Sequence, residues 1–247
     1  MSFTSNSLLA FFAIALVSAA PNSRVAHNGF VEHQSSTSGS HCHASALNTT
    51  MSLYPITVSN TTIFDIAKHM NRGACDIARL NHMADVTIIP NVGQQIVIPG
   101  EVCDPDNTSC VTMRKNTTRT CIYGGPRLYY TVNGDTYEKI ALDRLNITVE
   151  SLMGTGSNSS ATELLEPGQF VKVPLCYPSQ CVMQPHSFDE EGTYKDLAEQ
   201  YDTTVGQIMM LSPTYNYSSC SYTGEQCPSI DLPINCTALS SNITVLS

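Results

Sequence analysis

The stretch Tyr129-Tyr130-Thr131-Val132-Asn133-Gly134-Asp135-Thr136-Tyr137-Glu138-Lys139-Ile140-Ala141 decides the fold, because it joins a strand, a turn and a helix start in one run. Residues 129–132 are aromatic or β-branched, side chains that suit a pleated, half-buried strand. Asn133-Gly134 breaks that strand. Asp135 or Thr136 can cap the helix that follows, and Glu138 stands where it would close a capping box on Asp135. Ile140 and Ala141 then begin the helix's inner face.

The motif recurs along the chain. Setting the Thr of the turn in register aligns Thr62, Thr136 and Thr193, followed at a fixed offset by Ile66-Ala67, Ile140-Ala141 and Leu197-Ala198. Strand-like segments precede them at 54–58, 129–132 and 186–189. A second amphipathic stretch follows each first helix at 75–81, 148–153 and 204–211, and each copy closes on a turn and a strand at 92–99, 167–174 and, more loosely, 224–233. The predicted fold class is therefore α+β: tandem small βααβ modules at 53–103, 128–176 and 185–236, the last divergent. Linkers 104–127 and 177–184 join them, and 237–247 is a short tail.

Residues 8–20 form an apolar run ending in small side chains, which reads as a signal peptide over 1–20. It is too short to cross a hydrocarbon core of about 30 Å. Residues 21–52 are polar, without helix or strand periodicity, and read as a disordered leader. His27, His33, His41 and His43 surround Cys42 there, but without the regular spacing of a folded metal site, so no metal is expected.

The ten cysteines Cys42, Cys75, Cys103, Cys110, Cys121, Cys176, Cys181, Cys220, Cys227 and Cys236 suit a disulfide framework in an oxidising compartment, with the pairing open. Modules of roughly 50 residues bury too little to stand without such staples. Nine N-glycosylation sequons begin at Asn48, Asn60, Asn107, Asn116, Asn146, Asn158, Asn216, Asn235 and Asn242. A net charge of −9 argues against nucleic acid and anionic membranes as partners.

The Tyr-Thr-Val strand, Gly-Asp-Thr turn and Ile-Ala helix start resemble the LysM module, a βααβ carbohydrate-binding unit. Pro105-Asp106-Asn107-Thr108-Ser109-Cys110 after the first module, together with Cys75, is similar to the secreted LysM effectors of fungi. That resemblance implies a secreted, extracellular protein without cofactor. It would bind chitin or other N-acetylglucosamine oligosaccharides, sequestering them from host immune receptors or shielding the fungal wall.

The family's sugar groove lies between the loop after the first strand and the loop after the second helix. Carried over, it implies Ser59, Asn60, Thr61 and Thr62 with Asn81, His82, Met83, Ala84 and Asp85 in the first module. In the second it implies Asn133, Gly134, Asp135 and Thr136 with Gly154, Thr155, Gly156 and Ser157. In the third it implies Glu191, Gly192 and Thr193 with Ser212, Pro213, Thr214 and Tyr215. Turn amides and carbonyls near a helix start can pair with acetamide and hydroxyl groups, so the acidic charge is no obstacle.

The plainer reading of Thr62, Asp135, Thr136 and Thr193 is that each only caps a helix, worth about 1 kcal/mol. In its extreme form the chain is a structural or adhesion glycoprotein whose LysM folds no longer bind sugar. Sequons fall within or beside the groove segments at Asn60, Asn158 and Asn216, whereas the turn 133–136 carries none, which favours the second module as the binder. No enzyme is expected. The carboxylates Asp104/Asp106 and Asp189/Glu190/Glu191 lie in a linker and a turn rather than across a cleft, and no nucleophile elbow, zincin or phosphate-loop motif occurs.

Overall fold

Leu53 opposite Val97 and Tyr54 opposite Ile96 close the first module, where β1 (Ser52–Pro55) runs antiparallel to β2 (Gln95–Ile98). The computed structural model describes residues 42–117, 127–154, 159–176, 180–188, 191–213, 216–219, 227 and 229–237, together with the backbone of 121–122. The expected signal peptide, the expected leader up to residue 41 and the tail from residue 238 lie outside the described residues.

Between β1 and β2 stand α1 (Ile63–Met70) and α2 (Ala74–Leu80). Helical spacing places Ile63, Ile66 and Ala67 inward from α1, and Ala74, Cys75, Ile77 and Ala78 inward from α2. They meet Ile96 and Ile98, the alternate buried residues of β2. The start of α1 is a capping box: Thr62 Oγ1 accepts from Asp65 N–H at 3.1 Å, and the Asp65 carboxylate accepts from Thr62 N–H at 3.0 Å.

The linker contributes β3 (Cys121–Ile122). The second module follows with β4 (Leu128–Tyr130), a π-helical segment Lys139–Arg144, α3 (Val149–Met153) and β5 (Phe170–Lys172). β4 and β5 pair antiparallel, Tyr129 opposite Val171. β6 (Leu175–Cys176) returns to pair with β3, Cys121 opposite Cys176. The third unit repeats the order with β7 (Gln180–His186), α4 (Tyr194–Gln200), α5 (Val205–Leu211) and β8 (Ile230–Thr237). β7 and β8 pair antiparallel, Gln184 opposite Leu232.

Several expectations shift. β1 lies at 52–55 rather than 54–58, because Ile56 already turns inward, its N–H donating to Gln94 O at 2.8 Å. The stretch 42–52, read as disordered leader, is fixed by the Cys42–Cys103 disulfide and by Glu101 N–H donating to Asn48 O at 2.8 Å. The segment 180–184, read as linker, is strand. The expected strand 186–189 therefore begins six residues earlier, at Gln180, where β8 and the Cys181–Cys236 disulfide hold it.

The Cys75–Cys110 disulfide ties α2 to the linker, and Cys176 and Cys227 are also disulfide-bonded. Cys220 and the Cys121 side chain lie outside the described residues. Of the sequons, Asn48, Asn60, Asn107, Asn116, Asn216 and Asn235 are exposed and Asn146 is half-buried; Asn158 and Asn242 lie outside the described residues.

Candidate functional site

Gly134 sets the turn of the second module: its φ of 84° is one that glycine adopts without strain, and a Cβ there would stand 3.2 Å from Ile89 Cδ1 of the first module. Asn133, Gly134 and Thr136 are half-exposed, and so is Gly154 at the end of α3. Thr136 Oγ1 accepts from Lys139 N–H at 3.1 Å, the cap expected of it. Asp135 differs from expectation. It has no exposed surface, and its Oδ2 accepts from Val132 N–H at 2.9 Å and from the Tyr129 hydroxyl at 3.1 Å. The carboxylate ties the turn to the strand from inside, so its side chain cannot reach a sugar. Glu138, the expected partner in a capping box, instead meets Arg114 at 3.2 Å.

The opposite wall of this groove was not legible in the sequence. Ala161 O accepts from Glu138 N–H at 2.9 Å, and Leu165 N–H donates to Asp135 O at 2.9 Å, so 159–165 folds against the turn with Ser159, Ser160, Thr162 and Glu163 exposed. Thr155, Gly156 and Ser157 lie outside the described residues.

The first module is arranged differently. Ser59 and Asn60 are exposed, Asn60 with φ 64°, and Thr61 and Thr62 are half-exposed. The other wall is closed: Asn81, Met83 and Ala84 have no exposed surface and Asp85 has 1 %. Asn81 serves β2, its Nδ2 donating to Val97 O at 2.7 Å while its Oδ1 accepts from Val97 N–H at 2.9 Å.

Met83 and Ala84 are covered by the third module, and Asp85 lies against Arg144 of the second. Ala84 N–H donates to Tyr217 O at 2.8 Å and Tyr194 N–H to Met83 O at 3.1 Å, and Gln94 Nε2 donates to Asn216 Oδ1 at 2.5 Å. His82 lies 4.6 Å from the Phe188 ring, and burial pushes its pKa down against the opposing pull of Gly192 and Glu191. Thr193 is fully buried as the cap of α4, while Gly192 is half-buried, with its N–H donating to Arg79 O at 3.2 Å. Glu191 and Pro213 are exposed, and Ser212 Oγ accepts from Asp231 N–H at 2.6 Å. Thr214 and Tyr215 lie outside the described residues.

Where the three modules meet stands Arg144, fully buried. Its Nη1 donates to the Tyr129 hydroxyl at 2.7 Å and lies 3.4 Å from Met209 Sδ; Nη2 is 3.3 Å from Asp135 Oδ1 and Nε is 3.7 Å from Asp85 Oδ2. Burial opposes this charge, but Tyr129, Asp135 and Asp85 outweigh it and hold the guanidinium firmly protonated. The signal that could have found Arg144 is a lone cation in the register that Met70 and Tyr201 occupy in the other copies.

The LysM domain family model matches residues 59–99 and 129–174, the first two modules. The chain is 47% identical to the secreted LysM effector LysM13 of Penicillium expansum over 206 residues, 82% of this chain and 87% of that relative. It is 33% identical to the secreted LysM effector ECP6 of Passalora fulva over 226 residues, 91% of this chain and 94% of that relative. A shorter likeness, 35% over 122 residues, joins it to intracellular hyphae protein 1 of Colletotrichum lindemuthianum, covering 48% of this chain and 51% of that protein. LysM domains bind carbohydrate of the chitin type, and relatives of this kind are secreted. A βααβ fold stapled by disulfides, a motif preserved at 129–141 and likeness across nearly the whole length of two effectors place the chain in the family of secreted LysM effectors.

Proposed function

We propose that the protein binds chitin fragments through its second module and thereby withholds them from host immune receptors, acting by capture without turnover. The observation that carries this reading is the contrast in access. Asn133, Gly134, Thr136 and Gly154 are half-exposed, whereas Met83–Val86 of the first module are buried, Met83 and Ala84 against the third module and Asp85 against Arg144 of the second. The turn 133–136 also carries no sequon, the Asn158 sequon bordering only the other groove segment of that module, while exposed Asn60 and Asn216 belong to the corresponding segments of the other two.

Calorimetric titration of chitin oligomers into the deglycosylated protein tests the reading. Saturable heat is expected. Asn133→Ala should weaken it about two- to tenfold, the worth of roughly one neutral hydrogen bond, while Pro213→Ala leaves it unchanged. Competition with a receptor ectodomain for limiting oligomer then reads sequestration directly. Absence of heat together with flow-through on insoluble chitin would establish the structural-glycoprotein alternative, which the burial of Met83–Val86 and Thr193 in the seam favours for the first and third modules.

A further inference from the structure

Ile89 belongs to the first module, yet it stands against the turn 133–136 of the second. A Cβ built on Gly134 would lie 3.2 Å from Ile89 Cδ1 and 3.6 Å from its Cγ1, so the glycine admits a close approach that a side chain would crowd. Ile89 is half-exposed, as are Asn133 and Gly134. An aliphatic carbon and the turn backbone are therefore accessible side by side.

The placement of Ile89 is built rather than incidental. Asp85 Oδ1 accepts from Thr87 N–H at 2.7 Å and Asp85 O from Ile88 N–H at 3.0 Å, which turns the chain just before Ile89. Thr87 O accepts from Lys139 Nζ at 3.3 Å, and Arg144 Nε lies 3.7 Å from Asp85 Oδ2. Both cations of the π-helical segment thus hold 85–87 against the second module. Ile88 is buried in the core, which leaves its neighbour Ile89 at the surface. Asn133, Gly134 and Thr136 offer hydrogen-bonding groups but little apolar surface, whereas an N-acetyl group brings both an amide and a methyl. Leu164, next to the Leu165 that donates to Asp135 O, is 70% exposed and is the rival for that methyl, but Ile89 has its δ carbon at the turn itself.

We propose that Ile89 of the first module receives the acetyl methyl of N-acetylglucosamine bound at the second module's turn, so that the site spans two modules and selects acetylated sugar. The assignment rests on sugar capture by the second module. Calorimetric titration of the full deglycosylated protein with a chitin oligomer and with its N-formyl counterpart, which keeps the amide and lacks the methyl, tests it. The parent should prefer the acetylated oligomer about fourfold, the worth of one buried methyl-sized group.

Ile89→Val, which removes the δ carbon alone, should bring the two oligomers close to parity by weakening the acetylated one and sparing the formyl one. Ile89→Leu, which keeps a δ carbon, should restore most of the preference. Both exchanges stay apolar and near in volume, so the Tm should remain close to that of the parent. An equal loss for both oligomers in Ile89→Val would make Ile89 a brace for the turn and overturns the proposal, as does an unchanged preference in that variant or parity in the parent. Loss of the preference in Leu164→Ala with none in Ile89→Val assigns the methyl to the second module's own wall and likewise overturns it. A parent that binds neither oligomer overturns the capture reading as well, which keeps the two failures distinct.

Discussion

Met70 and Arg144 occupy the same register of the first helix in the first and second modules, four residues after Ile66 and Ile140, and they solve different problems. Met70 packs partly buried against the hydrophobic core. Arg144 ends a π-helical segment, fully buried, and reaches Asp135 in its own module, Asp85 in the first and Met209 in the third. The difference teaches that the first module is held chiefly from within, by an apolar core and a capping box, whereas the second is held by what its neighbours supply. A buried cation is tolerated only where partners offset its desolvation, so the second module's core is incomplete without Asp85.

The largest effect that can break this contrast is Arg144→Met. Removing the cation strands the buried Asp85 and Asp135, and denaturant unfolding should register a loss of about 3–5 kcal/mol. Arg114→Met removes two ion pairs from the same segment, to Glu138 and Asp143, yet Arg114 is more than half exposed. That variant should stay within about 1 kcal/mol of the parent. Equal losses from the two would show that the junction is ordinary surface electrostatics.

A smaller effect sharpens the other half. Thr62→Ala dissolves a reciprocal cap at the start of α1 and should cost about 1 kcal/mol by thermal or denaturant unfolding. Thr136→Ala removes an acceptor for Lys139 N–H alone among the described bonds and should cost less, because Asp135 already braces that turn from inside.

The smallest effect is in acid. Asp106 is desolvated, which raises its pKa, but donation from Ser109 and Arg79 prevails and holds the carboxylate well below its ordinary 3.8. Because the folded value is the lower one, this contribution is fully present above about pH 4 and is lost as pH falls through the folded value. Asp196, which also grips Arg79, shifts in the same direction. Melts between pH 5 and pH 2 should therefore decline, and Asp106→Asn should flatten part of that slope.

The three aligned threonines were legible because helix capping is local chemistry: Thr62, Thr136 and Thr193 each accept a bond from a backbone N–H three residues on. Asp135 was misread as a possible cap because its actual partners, the Tyr129 hydroxyl and the Val132 N–H, stand on the strand before it. β7 escaped notice because Gln180-Cys181-Val182-Met183-Gln184-Pro185-His186 has little strand character of its own; its order comes from β8 and a disulfide. The candidate groove divided along the same line. The turn 133–136 could be read from its residues, but the closure of Met83 and Ala84 depends on Tyr194 and Tyr217, far along the chain, and leaves no periodic trace.

That closure bears on how the protein is made. A chain entering the secretory lumen from its N-terminus delivers Met83 and Ala84 long before Tyr194 and Tyr217, which bond to them. During synthesis the loop stands bare, a task for chaperones rather than for the fold itself. A transcript truncated after the second module would therefore yield a sticky secretory client, retained by quality control, instead of a shorter lectin.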